Sequence, residues 1–193
     1  MRTEGAILAV IVSGGVLAQG LSTPAGLEFI AGAGTEAINA VGDGFAALDP
    51  ALRDMLAPVM ADWIAGSRDA AIERGVEPIP REVREALTGF VPLEILENVR
   101  WRVEAGEVSL EQSLFRMSYT YAVTLDDVIL FASLDNAADP KLWAHELFHV
   151  MQYRNWGIDG FVARYLSDRA AVEREAWEFR WQWMKATDRV PLP

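Results

Sequence analysis

Apolar residues recur at helical spacing over the first long patterned segment. Between Leu48 and Arg74 they return every three or four positions, Asp49-Pro50 supplies an N-cap and a first-turn proline, and Gly75 supplies the stop. Shorter helices are predicted over Pro80–Leu87 and from Pro92 to about Asn98, because each begins at a proline. This part of the chain is therefore predicted to be helical.

The period then changes to one typical of strands. Arg100–Glu104 and Tyr119–Ser133 are rich in β-branched and aromatic residues, and Asp126-Asp127 is a turn signal. We interpret Tyr121–Leu125 and Val128–Ala132 as a hairpin, or as one strand leading to another. The sequence therefore predicts a small sheet.

Helical spacing returns after Asn136. Asp139-Pro140 repeats the cap and proline, and the helix is expected to run through Arg154 and stop near Gly157. A short helix over Gly160–Leu166 and a last helix from about Arg169 to Lys185, capped by Asp168, are predicted to follow. The fold class expected from the whole pattern is α+β.

Charge and cysteine content narrow the possible functions. The formal net charge is −11 and no cluster of Lys and Arg is seen, which argues against a nucleic-acid partner. The chain has no cysteine, which excludes disulfide scaffolds, thiolate zinc sites and cysteine nucleophiles.

The N-terminus has the features of an export signal. The apolar run from Ala6 to Ala18 has the length of a signal-peptide core, and Val16 and Ala18 are small residues at the positions that precede a cleavage site before Gln19. The run is shorter than the roughly 20 apolar residues of a membrane-spanning helix. We expect a signal peptide over 1–18 and an exported protein, periplasmic or extracellular; the alternative is a buried N-terminal helix. Residues 19–91 are expected to form a helical N-terminal region, and residues 92–193 a second domain.

Both histidines of the chain lie in the segment His145-Glu146-Leu147-Phe148-His149. On a helix, residues four apart share a face, so His145 and His149 can bind one zinc ion. Glu146 points to an adjacent direction, from which its carboxylate can take a proton from a water that the zinc activates. The remainder of this helix is apolar, so uncompensated polar groups would be costly there. The spacing therefore predicts a zinc site with Glu146 as general base.

A zinc site that keeps one position open for water needs a third protein ligand. Because no third histidine exists, that ligand must be Asp or Glu, and the candidates lie on the last predicted helix. Glu173 is favoured, since it is followed one turn later by the small Ala176, which would let this helix pack closely on the first. Glu175 is the alternative, and Glu178 fits the spacing less well.

Two further groups of residues are candidates for supporting roles. If water activated at this site attacks a carbonyl, the resulting oxyanion needs a donor, and with no spare histidine the candidates are Tyr153, Tyr165, Arg164 and Arg174. The last helix carries aromatic residues that we interpret as core or partner contacts, with a substrate platform as the alternative: Trp177, Phe179, Trp181 and Trp183.

Together these residues resemble a known family. Glu-x-x-Ala after His-Glu-x-x-His is similar to the glutamate-zincin class of metallopeptidases. The segments 122–125, 128–131 and 142–153 resemble a bacterial zincin-like domain family best known from core proteins of extracellular contractile injection systems. The resemblance covers about Pro92 to Phe179, and Trp143 to Tyr153 is its most specific part.

The resemblance implies a set of roles. His145, His149 and Glu173 would be zinc ligands and Glu146 the base, and a strand at Val128–Phe131 would lie near the site, where an extended peptide could pair with a sheet edge. Many glutamate zincins have Asp or Asn four residues after the ligand, whereas this chain has Trp177. The second-shell support of the site differs there from the class.

The function expected from the sequence is zinc-dependent hydrolysis of peptide bonds. The fold would be zincin-like, with a small sheet packed on the His-Glu helix and on the following ligand helix, after an N-terminal helical region. The main alternative is a zinc-binding scaffold or interaction domain without catalysis. A helical interaction protein without metal is the third possibility.

Overall fold

Helices and a small mixed sheet make up residues 49–104 and 121–187, the part of the chain that this computed structural model describes. The helices are α1 Pro50–Glu73, α2 Arg81–Leu87, α3 Leu93–Asn98, α4 Leu134–Ala137 and α5 Pro140–Thr187. The strands are β1 Glu77–Pro78, β2 Arg100–Val103, β3 Ala122–Leu125 and β4 Val128–Phe131. The protein is therefore α+β, as the pattern predicted. The predicted signal peptide over 1–18 lies outside the described residues.

The sheet has the strand order β1-β2-β4-β3. The predicted hairpin is confirmed, because β3 and β4 pair antiparallel around the turn at Asp126-Asp127, where Asp126 has a φ of 58°. β2 pairs with β4 in parallel, and β1 pairs with β2 antiparallel. The strand that the resemblance implied near the site is β4, which is central among the described strands, so the sheet edge must be offered by its neighbour. β3 is the edge strand on that side.

Both faces of β4 are covered, which explains its unbroken apolar sequence. Ile129 and Phe131 pack in one core with side chains from α2, α3 and the start of α5. Val128 and Leu130 pack in a second core with α1 and the middle of α5. Side chains from both sides of the expected domain boundary at 91/92, such as Leu87 and Leu96, share the first core.

The long element α5 is bent twice. Its backbone leaves the helical conformation at Gly157, with φ 70° and ψ 172°, and at Asp168, with φ −153° and ψ 75°. The predicted break at Gly157 and the predicted cap at Asp168 are confirmed, since Asp168 Oδ1 accepts a hydrogen bond of 2.9 Å from the amide of Ala171. We call the parts on either side of these bends the first segment (140–156), the middle segment (158–167) and the third segment (169–187).

Helix α1 packs along α5 and beside the hairpin. Its N-cap is the predicted one, because Asp49 Oδ1 accepts from the amide of Ala51 at 2.8 Å. The guanidinium of Arg68 donates to both carboxylate oxygens of Asp127, at 2.5 and 2.9 Å, and so ties α1 to the turn between β3 and β4. Within residues 49–104 and 121–187, no helix combines the length and the apolar character that crossing a bilayer requires.

Candidate metal centre

The first segment of α5 is fixed firmly at its start. Asp139 Oδ1 accepts from the amide of Lys141 at 2.8 Å, and the buried indole of Trp143 donates to the carbonyl of Ala137 at 2.7 Å. Ala144 and Leu147 are fully buried in the first core. Because these apolar residues anchor one face, the neighbouring face directs His145 and His149 toward Glu173 of the third segment and Glu146 toward Thr124 of β3.

Three side chains meet between the first and third segments of α5. His145 Nε2 lies 3.1 Å from His149 Nε2, and Glu173 Oε2 lies 3.3 Å from the first nitrogen and 3.7 Å from the second. Zinc ligands at about 2.0–2.1 Å from a tetrahedral ion are about 3.3–3.4 Å apart. These three atoms therefore fit the donor spacing of a zinc ion, and they form a group that could hold a metal.

Burial and neighbouring charges shift the pKa values of Glu173 and His149. Burial alone would raise the pKa of Glu173, but hydrogen bonding by His145 and His149 and their positive charge, when they are protonated, hold that pKa far below its usual range. Burial alone would lower the pKa of His149, yet the hydrogen bond and charge of Glu173 and the charge of Glu146 leave it above its usual value. Glu173 is therefore an ionised carboxylate, the form that binds metal ions.

Glu146 stands beside this group and is held by the sheet. It is 5 % exposed, and the hydroxyl of Thr124 on the edge strand β3 lies 2.7 Å from its Oε2 and 3.2 Å from its carbonyl oxygen. Glu146 is not part of the three-residue donor group found among the described residues. The carboxylate of Glu173 thus faces the imidazoles, whereas that of Glu146 is oriented by Thr124 of β3.

Glu175, the alternative third ligand, has a different partner. Its Oε2 accepts a hydrogen bond of 2.9 Å from the amide nitrogen of Gln152, and that nitrogen also donates to the carbonyl of Val172 at 3.1 Å. The amide oxygen of Gln152 lies 2.8 Å from His149 Nδ1. Of the two carboxylates, it is therefore Glu173 that lies against the imidazoles. Sequence reasoning gave no role to Thr124 or Gln152, although each is a polar residue within an otherwise apolar run.

His145 is supported differently from His149. Its Nδ1 is buried and has no hydrogen-bond partner among the residues that the structure describes. The ring of Trp177 packs against the His145 ring, with the two ring centroids 5.0 Å apart. Of the aromatic residues interpreted as core or partner contacts, Trp183 lies in the core, whereas Trp177 and Trp181 are more than half exposed.

The four candidate oxyanion donors occupy different surroundings. The hydroxyl of Tyr165 donates to Glu173 Oε1 at 3.3 Å and accepts from Arg169 Nε at 3.0 Å, while burial and the charge of Glu173 raise its pKa. Tyr153 is buried and stacks on Phe161. Arg164 lies over the Trp156 ring, and Arg174 is exposed. Tyr165 thus engages the carboxylate oxygen of Glu173 that faces away from the imidazoles.

Comparison with known proteins relates part of the chain to a family. Residues 78–157 match the family model of the eCIS core domain, that of extracellular contractile injection systems. The match begins earlier than the expected Pro92 and ends before Glu173, so it includes the two histidines and Glu146 but not the third carboxylate. No curated protein and no solved structure matches the chain. The match supports a relation to the core proteins of these injection systems.

Proposed function

We propose that the chain is a zincin-like metallopeptidase that holds one zinc ion with His145, His149 and Glu173. The observation that carries this proposal is the spacing of 3.1–3.7 Å between the three donor atoms, a range that includes the roughly 3.3–3.4 Å expected between ligands of a tetrahedral zinc ion. An ionised carboxylate and two imidazoles are also the donor set of catalytic zinc sites in several peptidases. The relation to the eCIS core domain is consistent with the proposal and does not depend on it.

In this proposal the two glutamates have separate tasks. A bound zinc ion would supply Lewis acidity, which acidifies water and polarises a carbonyl. Glu173 would neutralise part of the charge of such an ion, while the hydroxyl of Tyr165 holds the other oxygen of that carboxylate. Glu146, oriented by Thr124, takes a proton from the attacking water and passes it to the leaving amine.

The proposed substrate is an extended peptide segment. β3 is the edge strand of the described sheet, and its Thr124 contacts the proposed base directly. A peptide that paired with this edge would form main-chain hydrogen bonds that do not depend on its sequence. Its scissile bond would then lie beside Glu146.

The proposal is tested with purified protein, one substitution and two measurements. Wild type should contain about one zinc per chain and cleave unfolded casein. Glu146→Gln should keep the zinc and the fold while hydrolysis falls by about 10²- to 10⁴-fold, because the base is lost and the ligands are not. Loss of zinc from Glu146→Gln would contradict the assignment of Glu146 as base.

A non-catalytic zinc scaffold is the second candidate, and one observation favours it. His145, Glu146 and His149 are each less than 10 % exposed, which suits a site that stabilises the fold. In that role wild type binds zinc but cleaves no protein or peptide, and Glu146→Gln changes neither property. Zinc content measured beside casein hydrolysis therefore separates the two candidates.

A further inference from the structure

Gln152 lies between the two segments that carry the proposed ligands. It is 2 % exposed, and its amide is the only part of the side chain with hydrogen-bonding atoms. On one side lies His149, three residues earlier on the first segment, and on the other lie Val172 and Glu175 of the third segment. One amide therefore contacts both halves of the site.

The partners of Gln152 fix which way its amide points. The carbonyl of Val172 and the carboxylate of Glu175 can only accept hydrogen bonds, so the amide nitrogen must face them. The amide oxygen is then the atom that lies 2.8 Å from His149 Nδ1. Because that oxygen has no proton to give, His149 Nδ1 must be the donor.

A proton on Nδ1 determines the other nitrogen of a neutral imidazole. His149 Nε2 then carries a lone pair, and this is the atom that faces His145 Nε2 and Glu173 Oε2. A histidine that binds a metal through Nε2 needs this tautomer, and a partner on Nδ1 is what selects it. His145 has no such partner among the described residues.

We infer that Gln152 is a positioning residue that selects the metal-binding tautomer of His149 and aligns it with Glu173. The second effect follows because Val172, whose carbonyl accepts from Gln152, directly precedes Glu173. The inference rests on the zinc site of the proposed function, but not on peptide hydrolysis. A buried amide that only tied two helices together would affect stability and leave the tautomer alone.

The first test uses the full-length wild-type chain after treatment with a chelator. Nitrogen-15 chemical shifts of the two imidazoles are recorded at a pH where both are neutral, and His145→Ala leaves one signal, which assigns His149. We expect His149 to be protonated on Nδ1 alone. A His149 protonated on Nε2 would overturn the inference, whether or not the protein binds zinc.

The second test compares three variants. Gln152→Leu removes every hydrogen bond of this side chain, so His149 should lose its preference for Nδ1 and zinc affinity should fall by about 10- to 100-fold. Gln152→Glu keeps an acceptor for His149, so the tautomer should be retained, while the loss of the donors to Val172 and Glu175 should lower the urea midpoint. Gln182→Leu makes the same change at an exposed position of α5 and should alter neither property.

The outcomes separate the inference from the proposed function. If wild type binds no zinc but His149 has the expected tautomer and Gln152→Leu abolishes it, the proposed function fails and the role of Gln152 in selecting the tautomer stands. If wild type binds zinc and Gln152→Leu lowers stability with unchanged tautomer and affinity, Gln152 is a structural residue and the inference fails.

Discussion

Two carboxylates two residues apart, Glu173 and Glu175, differ in what they touch. Glu173 Oε2 lies against both imidazoles, whereas Glu175 Oε2 accepts from the amide of Gln152. Successive side chains on a helix project about 100° apart, so two positions cannot share one direction. Substitutions of the two carboxylates are therefore expected to change zinc affinity to different extents.

We therefore expect Glu173→Gln and Glu175→Gln to behave differently. A neutral amide is a poorer ligand than a carboxylate, so Glu173→Gln should weaken zinc binding by more than 10-fold. Glu175→Gln leaves all three donors in place and should change affinity much less. Competition with a chromogenic chelator measures both dissociation constants. Equal losses in the two variants would contradict the assignment of Glu173 as ligand.

Trp177 offers a test of the support around His145. Its ring packs beside the His145 ring, and His145 Nδ1 has no hydrogen-bond partner in the described part of the chain. A carboxylate at this position can accept from Nδ1, so Trp177→Asp should raise zinc affinity by up to about 10-fold. Trp181→Asp, one turn further and also exposed, is the matched control. An affinity that rises equally in both variants would point to general charge instead.

The three motif residues could be predicted from the sequence, but the residues that form hydrogen bonds with them could not. His145, Glu146 and His149 follow from spacing within one helix, because i and i+4 share a face whatever surrounds them. Thr124 and Gln152 act on partners 22 and 20–23 residues away, across a turn and across two bends. Local periodicity carries no information on such pairs. Their only signal was a polar residue placed in an apolar run.

At the scale of elements, the bend at Gly157 is needed for the third segment of α5 to pack against the first. Its φ of 70° and ψ of 172° lie in a region that is open almost only to glycine. The sequence predicted a stop here from glycine after a helix, and it could not give the direction in which the chain leaves. Phe161 and Val162, which follow the bend, pack in the second core with residues distant in the sequence.

Alanine substitutions measure how much the bend at Gly157 contributes to the stability of the protein. Gly157→Ala should destabilise the protein by about 1–3 kcal/mol, because alanine is strained at this φ and ψ. Gly66→Ala is the matched control, since Gly66 lies inside α1 with open space around an added methyl group. It should stabilise by up to about 1 kcal/mol. Urea unfolding checks both, and a neutral Gly157→Ala would mean that the bend relaxes without cost.

In the sheet, the local sequence pattern predicted one strand pairing and missed another. The hairpin of β3 and β4 was predictable, because two short apolar runs flank two aspartates. The parallel pairing of β4 with β2 was not, since β2 lies more than 20 residues earlier and parallel partners share no turn. That pairing places β4 in the interior and leaves β3 at the edge. Which strand forms the sheet edge beside the site therefore depends on this one long-range contact.

At the scale of the whole molecule, zinc should stabilise the native state. A ligand that binds only the folded form adds about 2.7 kcal/mol at a free concentration of 100 times Kd. For a chain of this size we expect Tm to rise by about 5–10 °C. Thermal unfolding with zinc and with a chelator measures the shift. His149→Ala should abolish it, and a shift that persists in this variant would place the metal elsewhere.

The two bends of α5 also bear on the order in which the site would assemble during folding. All three proposed ligands belong to this one element, and Glu173 follows His149 by only 24 residues. Closing a loop of that length costs about 3.5 kcal/mol of chain entropy, and a bound ion would offset this cost much as a cross-link would. The base is different, because Glu146 depends on Thr124 from another part of the chain. We therefore expect a partly unfolded protein to keep binding the metal after Glu146 has lost the orientation that Thr124 gives it.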